Sequence, residues 1–145
     1  MTILDQLVRD EDEVLHLYYD SVGKPTIGVG CNLDVRVPND LCREITITAM
    51  GSRRLLELRA AQAVNDVAEH IPWSSTLDEA RRGVLVNMVF NMGIGGVLRF
   101  RKMLDALEVF DFVSAAAEMR QSVWYQQVGD RAKRLETQML TGLWQ

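Results

Sequence analysis

The chain has 145 residues, of which 48% are hydrophobic and 25% are charged, and its formal net charge at pH 7 is −4. This is the composition of a folded domain and excludes a disordered chain. No segment approaches the roughly 18 consecutive apolar residues that a membrane-spanning helix needs, so we expect no membrane insertion. The N-terminus lacks the basic and apolar regions of a secretory signal, and we expect no cleaved leader.

The negative charge lies in the first fifth of the chain. Residues 1–30 contain six acidic and two basic side chains, whereas residues 31–145 contain 14 of each. Proteins that bind nucleic acid normally present a dominant basic surface, so this balance argues against such a partner. Basic clusters occur at 99–102 and 131–134. A solvated helix face is the more frequent explanation of such clusters, and contact with an anionic polymer is the alternative.

The cysteines and histidines do not form a metal-binding pattern. Cys31 and Cys42 are too few for a disulfide scaffold, and His16 and His70 lie far apart without other ligands nearby. We therefore expect no structural metal. Reduced, partly buried thiols are expected in preference to a Cys31–Cys42 bridge.

Two elements are predicted near the N-terminus. Residues 2–11 are expected to form a short amphipathic helix. Residues 14–33 change to a period of two around a Gly- and Pro-containing turn, which predicts a β-hairpin. Gly28 and Gly30 in the returning strand contribute no side-chain packing, which indicates that another group approaches the backbone there.

A helix is predicted at 53–70, after a short strand at 45–48. Ser52 is expected to cap this helix, and Pro72 follows its end. Its predicted apolar positions include Leu55, Leu58 and Val67.

The remainder of the chain is predicted to be helical. Thr76 and Glu79 have the spacing of a capping box, and the glycine run 93–96 is expected to end the helix that follows. The core positions of that helix are Val84, Leu85, Met88, Val89 and Met92. Shorter helices are predicted near 97–107, 112–123 and 131–141, with Gly142 as the last C-terminal cap.

These elements predict an α+β fold in a single domain, 1–145. A small lobe at about 12–55 would carry the hairpin. A larger helical lobe at about 70–145 would include the N-terminal helix, and the helix before Pro72 would connect the lobes. A groove between the lobes is the expected binding site.

Glu11 and Asp20 flank the junction between the first helix and the hairpin, so both side chains can face one space. Glycosidic cleavage needs one carboxyl group that donates a proton and another that activates water or stabilises positive charge on the sugar. The acidic run at 10–13 disfavours ionisation of Glu11, which suits the donor. Thr26 could hold a water against Asp20. The alternative interpretation is that these acidic residues form a solvated surface and that Thr26 is an ordinary strand residue.

The sequence resembles the phage-type lysozymes of the T-even kind, a family of endolysins and tail-associated muramidases. The pattern E-x8-D-x5-T appears here as Glu11, Asp20 and Thr26, and Thr26 begins the sequence T-I-G-V-G. Tyr18 and Gly23 also stand at their usual positions. Further blocks follow in the family's order at 87–93, 122–125, 130–134 and 141–144.

The resemblance implies a lysozyme-like fold and a monomeric, cofactor-free muramidase. Such an enzyme hydrolyses the β-1,4 bond between N-acetylmuramic acid and N-acetylglucosamine in bacterial peptidoglycan. The resemblance also implies that Glu11 is the general acid, that Asp20 is the second carboxylate, and that Thr26 helps to place the attacking water, with inversion at the sugar. The implied substrate contacts are Gly30, Asn32, Phe90, Met103 and Glu118. Phe90 is equally compatible with a plain core position.

The chain departs from the family at several points. Cys31 replaces a frequent histidine that pairs with a carboxylate, the segment 34–62 is short and matches poorly, and Met103 and Glu118 replace small or polar residues. Two alternatives therefore stay open: a wall-binding or tail domain that has lost catalysis, and a lytic transglycosylase, which needs only the acid. The presence of all three catalytic candidates favours the hydrolase.

The expected site of action is the periplasm or cell wall, after synthesis in the host cytoplasm. Since no leader is predicted, a separate pore or transport on the virion would bring the protein to its substrate.

Overall fold

The computed structural model describes residues 1–145 and contains seven α-helices and a three-stranded antiparallel sheet, which confirms the predicted α+β class. The strands are Glu13–Tyr19 (β1), Pro25–Val29 (β2) and Cys31–Asn32 (β3). The helices are Ile3–Asp10 (α1), Ala49–His70 (α2), Glu79–Leu98 (α3), Arg101–Glu108 (α4), Phe112–Arg120 (α5), Val123–Val128 (α6) and Asp130–Thr141 (α7).

The backbone forms two compact units. Leu4–Ala61, which we call the sheet unit, contains most of α1, the whole sheet and the first half of α2. Met1–Ile3 and Gln62–Gln145, which we call the helical unit, contain the second half of α2 and the helices α3 to α7.

The sheet unit contains the predicted hairpin. β1 and β2 are antiparallel with Tyr18 opposite Thr26, and β2 and β3 are antiparallel with Thr26 opposite Asn32. Directly opposed residues of an antiparallel pair project to the same face of a sheet. Tyr18, Thr26 and Asn32 therefore form one row of side chains across the three strands.

The strand predicted at 45–48 is only a single bridge. Thr46 pairs with His16, and Leu17 N–H donates to the carbonyl of Ile45 at 2.8 Å. A short 3-10 helix ends at Glu44 and α2 begins at Ala49, so too few residues remain for a longer ladder. The core of the unit lies beneath β1 and β2 and includes Leu17, Ile27 and Cys42.

The predicted start of α2 is wrong. Thr48, and not Ser52, provides the side-chain cap, because its Oγ1 accepts a hydrogen bond from Gly51 N–H at 3.0 Å. Ser52 is fully buried inside the first turn, whereas Leu58, which was predicted to be apolar and inward, is 53% exposed. The buried stripe of the helix is Leu56, Ala60, Ala63 and Val67.

The core helix α3 is confirmed, but both of its predicted ends need correction. Asp78, and not Thr76, is the N-cap, since its carboxylate accepts from Arg81 N–H at 2.8 Å. Gly93 has a φ of 81° and kinks the helix, which then continues to Leu98. The glycine run therefore bends the helix and does not end it. Of the predicted core residues, Val84, Leu85, Met88 and Val89 are buried.

The helix predicted at 112–123 is shorter than expected, and the helix that follows it was not predicted. α5 ends at Arg120, and α6 begins after Ser122, whose Oγ accepts from Tyr125 N–H at 3.1 Å. α7 ends, as predicted, at Gly142, which has a left-handed φ of 68°.

None of the helices is by itself both long and apolar enough to cross a membrane, and α3 with α4 meets that test only when the two are joined across a 101° bend. Cys31 and Cys42 are free and buried, in agreement with the sequence prediction of reduced thiols.

Candidate active site

The structure places Glu11, Asp20 and Thr26 in the sheet unit, together with Gly30 and Asn32. Each of the three catalytic candidates lies at or near the end of a different element: Glu11 directly follows α1, Asp20 directly follows β1, and Thr26 is the second residue of β2. Short local elements therefore present all three side chains.

Glu11 lies against the backbone of Gly30. Its N–H continues the last turn of α1 by donating to the carbonyl of Leu7 at 3.0 Å. Its Oε2 atom is 2.9 Å from the position that a Cβ atom on residue 30 would occupy, and Gly30 has a φ of +62°. The prediction that another group approaches the glycine backbone is confirmed, and at Gly30 that group is the Glu11 carboxyl.

Asp20 is held by the hairpin turn. Its Oδ1 accepts hydrogen bonds from Val22 N–H at 3.0 Å and from Lys24 N–H at 2.8 Å. The backbone adds Asp20 N–H to the Lys24 carbonyl at 2.9 Å and Gly23 N–H to the Asp20 carbonyl at 3.0 Å. Because these side-chain contacts all use Oδ1, the second carboxylate oxygen is left for water or a ligand.

Thr26 is buried, and its hydroxyl has two neighbours. Its Oγ1 lies 2.9 Å from the Lys24 carbonyl and 2.9 Å from Oδ1 of Asn32. A hydroxyl has one proton and can donate to only one of them. Both contacts are satisfied if Thr26 donates to Lys24 and the Asn32 amide is turned so that its NH2 group donates to Oγ1. One lone pair of Oγ1 then remains to accept from a water.

The negative charges of both candidate carboxyl groups act on the phenol of Tyr18. The pKa of its phenol is raised above the ordinary value by burial first, and then by the negative charges of Glu11, Asp20 and Asp12. Interactions between charges weaken with distance and are screened by solvent, so Glu11 and Asp20 both lie near this phenol. Tyr18 stays neutral at physiological pH and adds no further negative charge near these carboxyl groups. Its position opposite Thr26 places it in the candidate site.

The other predicted substrate contacts lie in the helical unit. Met103 and Glu118 line one cavity of about 600 Å³, together with Phe100 and Trp124. Phe90 is not among the lining residues and is 8% exposed within α3. The structure therefore brings together two of these three candidates.

Three cations surround the same cavity. Arg99, Arg101 and Lys102 line it, and all three side chains are exposed and form no ion pair. The Trp124 indole is fixed by donation from Nε1 to Oδ1 of Asn91 at 2.9 Å, and its ring meets Phe100 edge-on with centroids 6.1 Å apart. The cavity can therefore receive an anionic group beside apolar surface.

Glu136 joins three helices of the helical unit through a network that the sequence pattern did not indicate. Arg120 Nε donates to its Oε1 at 2.7 Å, and the Tyr125 hydroxyl donates to its Oε2 at 2.6 Å. Burial acts to raise the pKa of Glu136, but the hydrogen bonds from Arg120 and Tyr125 and the charge of Arg120 outweigh it, so that the pKa is lowered. No cluster of three His, Cys, Asp or Glu side chains could hold a metal ion.

Arg59 is a second feature without a sequence signal. From α2, its Nη1 donates to the carbonyls of Val29 at 3.1 Å and Gly30 at 2.8 Å. The acceptors are backbone carbonyls about 30 positions away. Every residue has such a carbonyl, so the pattern of side chains could not have predicted this contact.

Comparison with known proteins identifies relatives over nearly the whole chain. Residues 9–141 match the profile of the family described as Phage lysozyme. The pre-baseplate central spike protein Gp5 of Enterobacteria phage T4 is 34% identical over 161 residues, which cover 98% of this chain and 28% of that protein. Probable T4-type lysozyme 1 of Dictyostelium discoideum is 32% identical, with 97% of this chain and 95% of that protein covered. Probable T4-type lysozyme 2 of the same organism is 30% identical, with the same coverage of 97% and 95%.

The lengths of these alignments show a difference from the relatives. The alignment with Gp5 extends over 161 residues and that with the first Dictyostelium protein over 162, whereas this chain has 145. The chain is therefore shorter than both relatives within the aligned region. The match covers 28% of the length of the spike protein but 95% of the length of each Dictyostelium lysozyme. The sequence match and the α+β structure agree, and the chain belongs to the phage lysozyme family.

Proposed function

We propose that the protein is a muramidase that hydrolyses the β-1,4 bond between N-acetylmuramic acid and N-acetylglucosamine in bacterial peptidoglycan. Membership of the phage lysozyme family supports a glycoside hydrolase with a muramidase-like role. The observation that carries the specific reaction is the placement of two carboxyl groups on one hairpin: Asp20 lies in its turn, and Glu11 lies against Gly30, which follows the returning strand β2. Two such groups are what glycosidic hydrolysis requires.

In the proposed reaction, Glu11 donates a proton to the glycosidic oxygen as the bond to the sugar carbon breaks. Asp20 accepts a proton from the attacking water or stabilises the positive charge on the sugar, and the water oxygen becomes the new hydroxyl at that carbon. Thr26 helps to place this water through the free lone pair of its hydroxyl. Inversion at the sugar carbon follows if the water attacks from the face opposite the leaving group.

The local geometry supports these roles. The Gly30 backbone restricts where the Glu11 carboxyl can lie, and the turn amides hold one oxygen of Asp20 while the other stays available. Thr26 is fixed by the Lys24 carbonyl and by Asn32.

Two sets of residues are proposed to contact substrate, each within its own unit. Gly30 and Asn32 lie next to the catalytic candidates and would contact sugar. Glu118 would contact substrate in the cavity beside Trp124, where the exposed cations suit the carboxylates of peptidoglycan peptides. Met103, whose side chain is fully buried, would shape the wall of that cavity. Phe90 is assigned first to the core, because little of it is exposed.

The release of reducing ends from purified peptidoglycan tests the proposal. We expect Glu11→Gln to lower the rate by about 10²- to 10⁴-fold, the range for loss of a general acid, and Asp20→Asn to lower it strongly as well. Glu44→Gln is the matched control, since it makes the same change at an exposed carboxyl group of the sheet unit outside the acidic run, and it should retain activity. Circular dichroism should show all three variants folded. Wild-type activity in Glu11→Gln would overturn the proposal.

Product analysis separates the two alternatives. A lytic transglycosylase would release 1,6-anhydro ends, which mass spectrometry detects, whereas the proposed hydrolase adds water. A domain without catalysis would bind insoluble wall and release no reducing ends. Proton NMR of the first products should show inverted anomeric configuration.

The similarity to a central spike protein also supports delivery on a phage particle. We expect the chain among the proteins of purified particles of the phage that encodes it, detected by mass spectrometry. Its presence only in the lysate, and not in particles, would favour release through a separate pore.

A further inference from the structure

We propose that Arg59 is a positioning residue that holds the turn at Gly30 against the carboxyl group of Glu11. The proposal rests on the muramidase function and adds to it a residue of α2 that would act through the backbone. Arg59, Glu11 and the turn all belong to the sheet unit.

The contact is a direct, charge-assisted one. A single nitrogen of Arg59, Nη1, donates to the Gly30 carbonyl at 2.8 Å and to the Val29 carbonyl at 3.1 Å. Hydrogen bonds from a charged donor are roughly twice as strong as those between neutral groups. Arg59 is only partly exposed, so the contact is screened less than a surface ion pair would be.

The turn has little else to hold it in place. Gly30 is the one residue between β2 and β3, and β3 contains two residues. The next side chain, Cys31, has only a weak contact from its Sγ to the Asn32 carbonyl at 3.9 Å. A two-residue strand supplies few ladder hydrogen bonds, so an external donor is needed to keep the turn rigid.

The helix that carries Arg59 packs on this strand at a second point. Ser52 lies seven residues before Arg59, two helical turns away and on the same face of α2. The buried Ser52 Oγ is 3.0 Å from where a Cβ on Gly28 would lie. Leu56, between them on that face, is 1% exposed. α2 therefore meets the strand at Gly28 through packing and at the turn through hydrogen bonds.

The position of the turn bears directly on the proposed acid. Oε2 of Glu11 already lies at contact distance from the Gly30 backbone, so a displaced turn would change the positions open to the carboxyl. A misplacement of about 1 Å can lower the rate of a reaction by about 100-fold. Because Arg59 would act on the acid through a turn that also carries the proposed sugar contact Gly30, its loss should lower kcat by a larger factor than it raises KM.

The test compares variants of the full chain. Arg59→Met keeps the length and apolar stem of the side chain and removes the donors. Arg54→Met is the matched control, because Arg54 is exposed on the same helix and pairs only with Glu57. We expect Arg59→Met to lower kcat about 10- to 100-fold with a smaller rise in KM, and Arg54→Met to match wild type. Arg59→Lys, which keeps a charged donor, should recover part of kcat.

A second measurement tests the contact without reference to activity. In Arg59→Met, amide hydrogen exchange of residues 29–32 should accelerate at least about tenfold over Arg54→Met while the rest of β1 and β2 stays protected. If exchange at these residues is unchanged, or if kcat is unchanged while exchange accelerates, the positioning role is wrong. If wild type releases no reducing ends, the muramidase function fails, and exchange alone then decides whether Arg59 holds the turn.

Discussion

The Oε2 atom of Glu11 lies 2.9 Å from the position that a Cβ atom on Gly30 would occupy. Glu11 comes from the end of α1 and Gly30 from the turn between β2 and β3. A backbone segment 19 positions later in the chain therefore limits where the carboxyl group that is proposed to donate the proton can lie. Any side chain at residue 30 must displace that carboxyl or move the turn.

Gly30→Ala is expected to lower activity by about 100-fold, because the new methyl group displaces the Glu11 carboxyl. It should also cost about 1–2 kcal/mol in the free energy of unfolding, because a residue with a side chain is strained at a φ of +62°. Urea unfolding and reducing-end release measure the two effects. Gly129→Ala is the matched control: Gly129, in the helical unit, has a φ of +70° and nothing within 4 Å of its would-be Cβ. It should lose similar stability and keep its activity, and equal activity loss in both variants would contradict the role of the Glu11 contact.

Thr26→Val replaces the hydroxyl by a methyl group of similar size. We expect a loss of about 0.5–1.5 kcal/mol in the free energy of unfolding, because the hydrogen bonds of the hydroxyl are lost while the exposed Asn32 can bond to water, and a decrease in kcat of at least about tenfold. Thr26→Ser keeps the hydroxyl and should retain most of the activity. Steady-state kinetics on peptidoglycan distinguishes the two, and a Thr26→Val enzyme as active as Thr26→Ser would remove Thr26 from the mechanism.

Two glycines of α3 should respond to alanine in opposite directions. A Cβ on Gly83 would lie 2.5 Å from Cη2 of Trp144, so Gly83→Ala should destabilise the protein by about 1–3 kcal/mol through overpacking. Nothing lies within 4 Å of the corresponding position on Gly95, and its φ is not positive. Gly95→Ala should therefore stabilise the helix by about 0.5–1 kcal/mol. Thermal and urea unfolding of the two variants give the signs, and a destabilised Gly95→Ala would contradict this interpretation of the kinked helix.

The hydrogen bonds of Glu136 predict a loss of stability in acid. The folded pKa of Glu136 lies below its ordinary value of 4.5, so the unfolded chain takes up a proton first as the pH falls. The stabilisation is complete above that value and is lost as the pH falls through the folded pKa. Glu136→Gln should lower the melting temperature at pH 7 and show a smaller further decrease between about pH 5 and 3 than wild type. Tyr125→Phe, which removes one donor, should lie between them, and parallel curves for wild type and Glu136→Gln would contradict the assignment.

Much of the local structure is predictable from the order of residues. The helix and hairpin near the N-terminus, the core helix α3 and the cap at Gly142 follow from hydrophobic period and turn chemistry. These signals depend on neighbours a few positions apart. The candidates Glu11, Asp20 and Thr26 were likewise found from their spacing, which the local helix-to-hairpin junction then brings into one unit.

The wrong predictions concern helix ends, at places where more than one nearby residue could cap or end the helix. Thr48 and Ser52 can each cap a helix, as can Thr76 and Asp78, and the choice depends on which residues the core buries. One glycine in the run 93–96 kinks α3, but the helix resumes because Val97 is fully buried.

Contacts between distant segments depend on the folded chain. Arg59 reaches the Gly30 turn because α2 packs on that strand, and Glu136 meets donors from two other helices. Each partner is a backbone carbonyl or a polar group far away in sequence, so hydrophobic period and short motifs carry no information about it. The order of residues was sufficient to predict most of the secondary structure and the candidate acids. The groups that surround those acids are set by tertiary packing, because packing brings together residues that no local pattern connects.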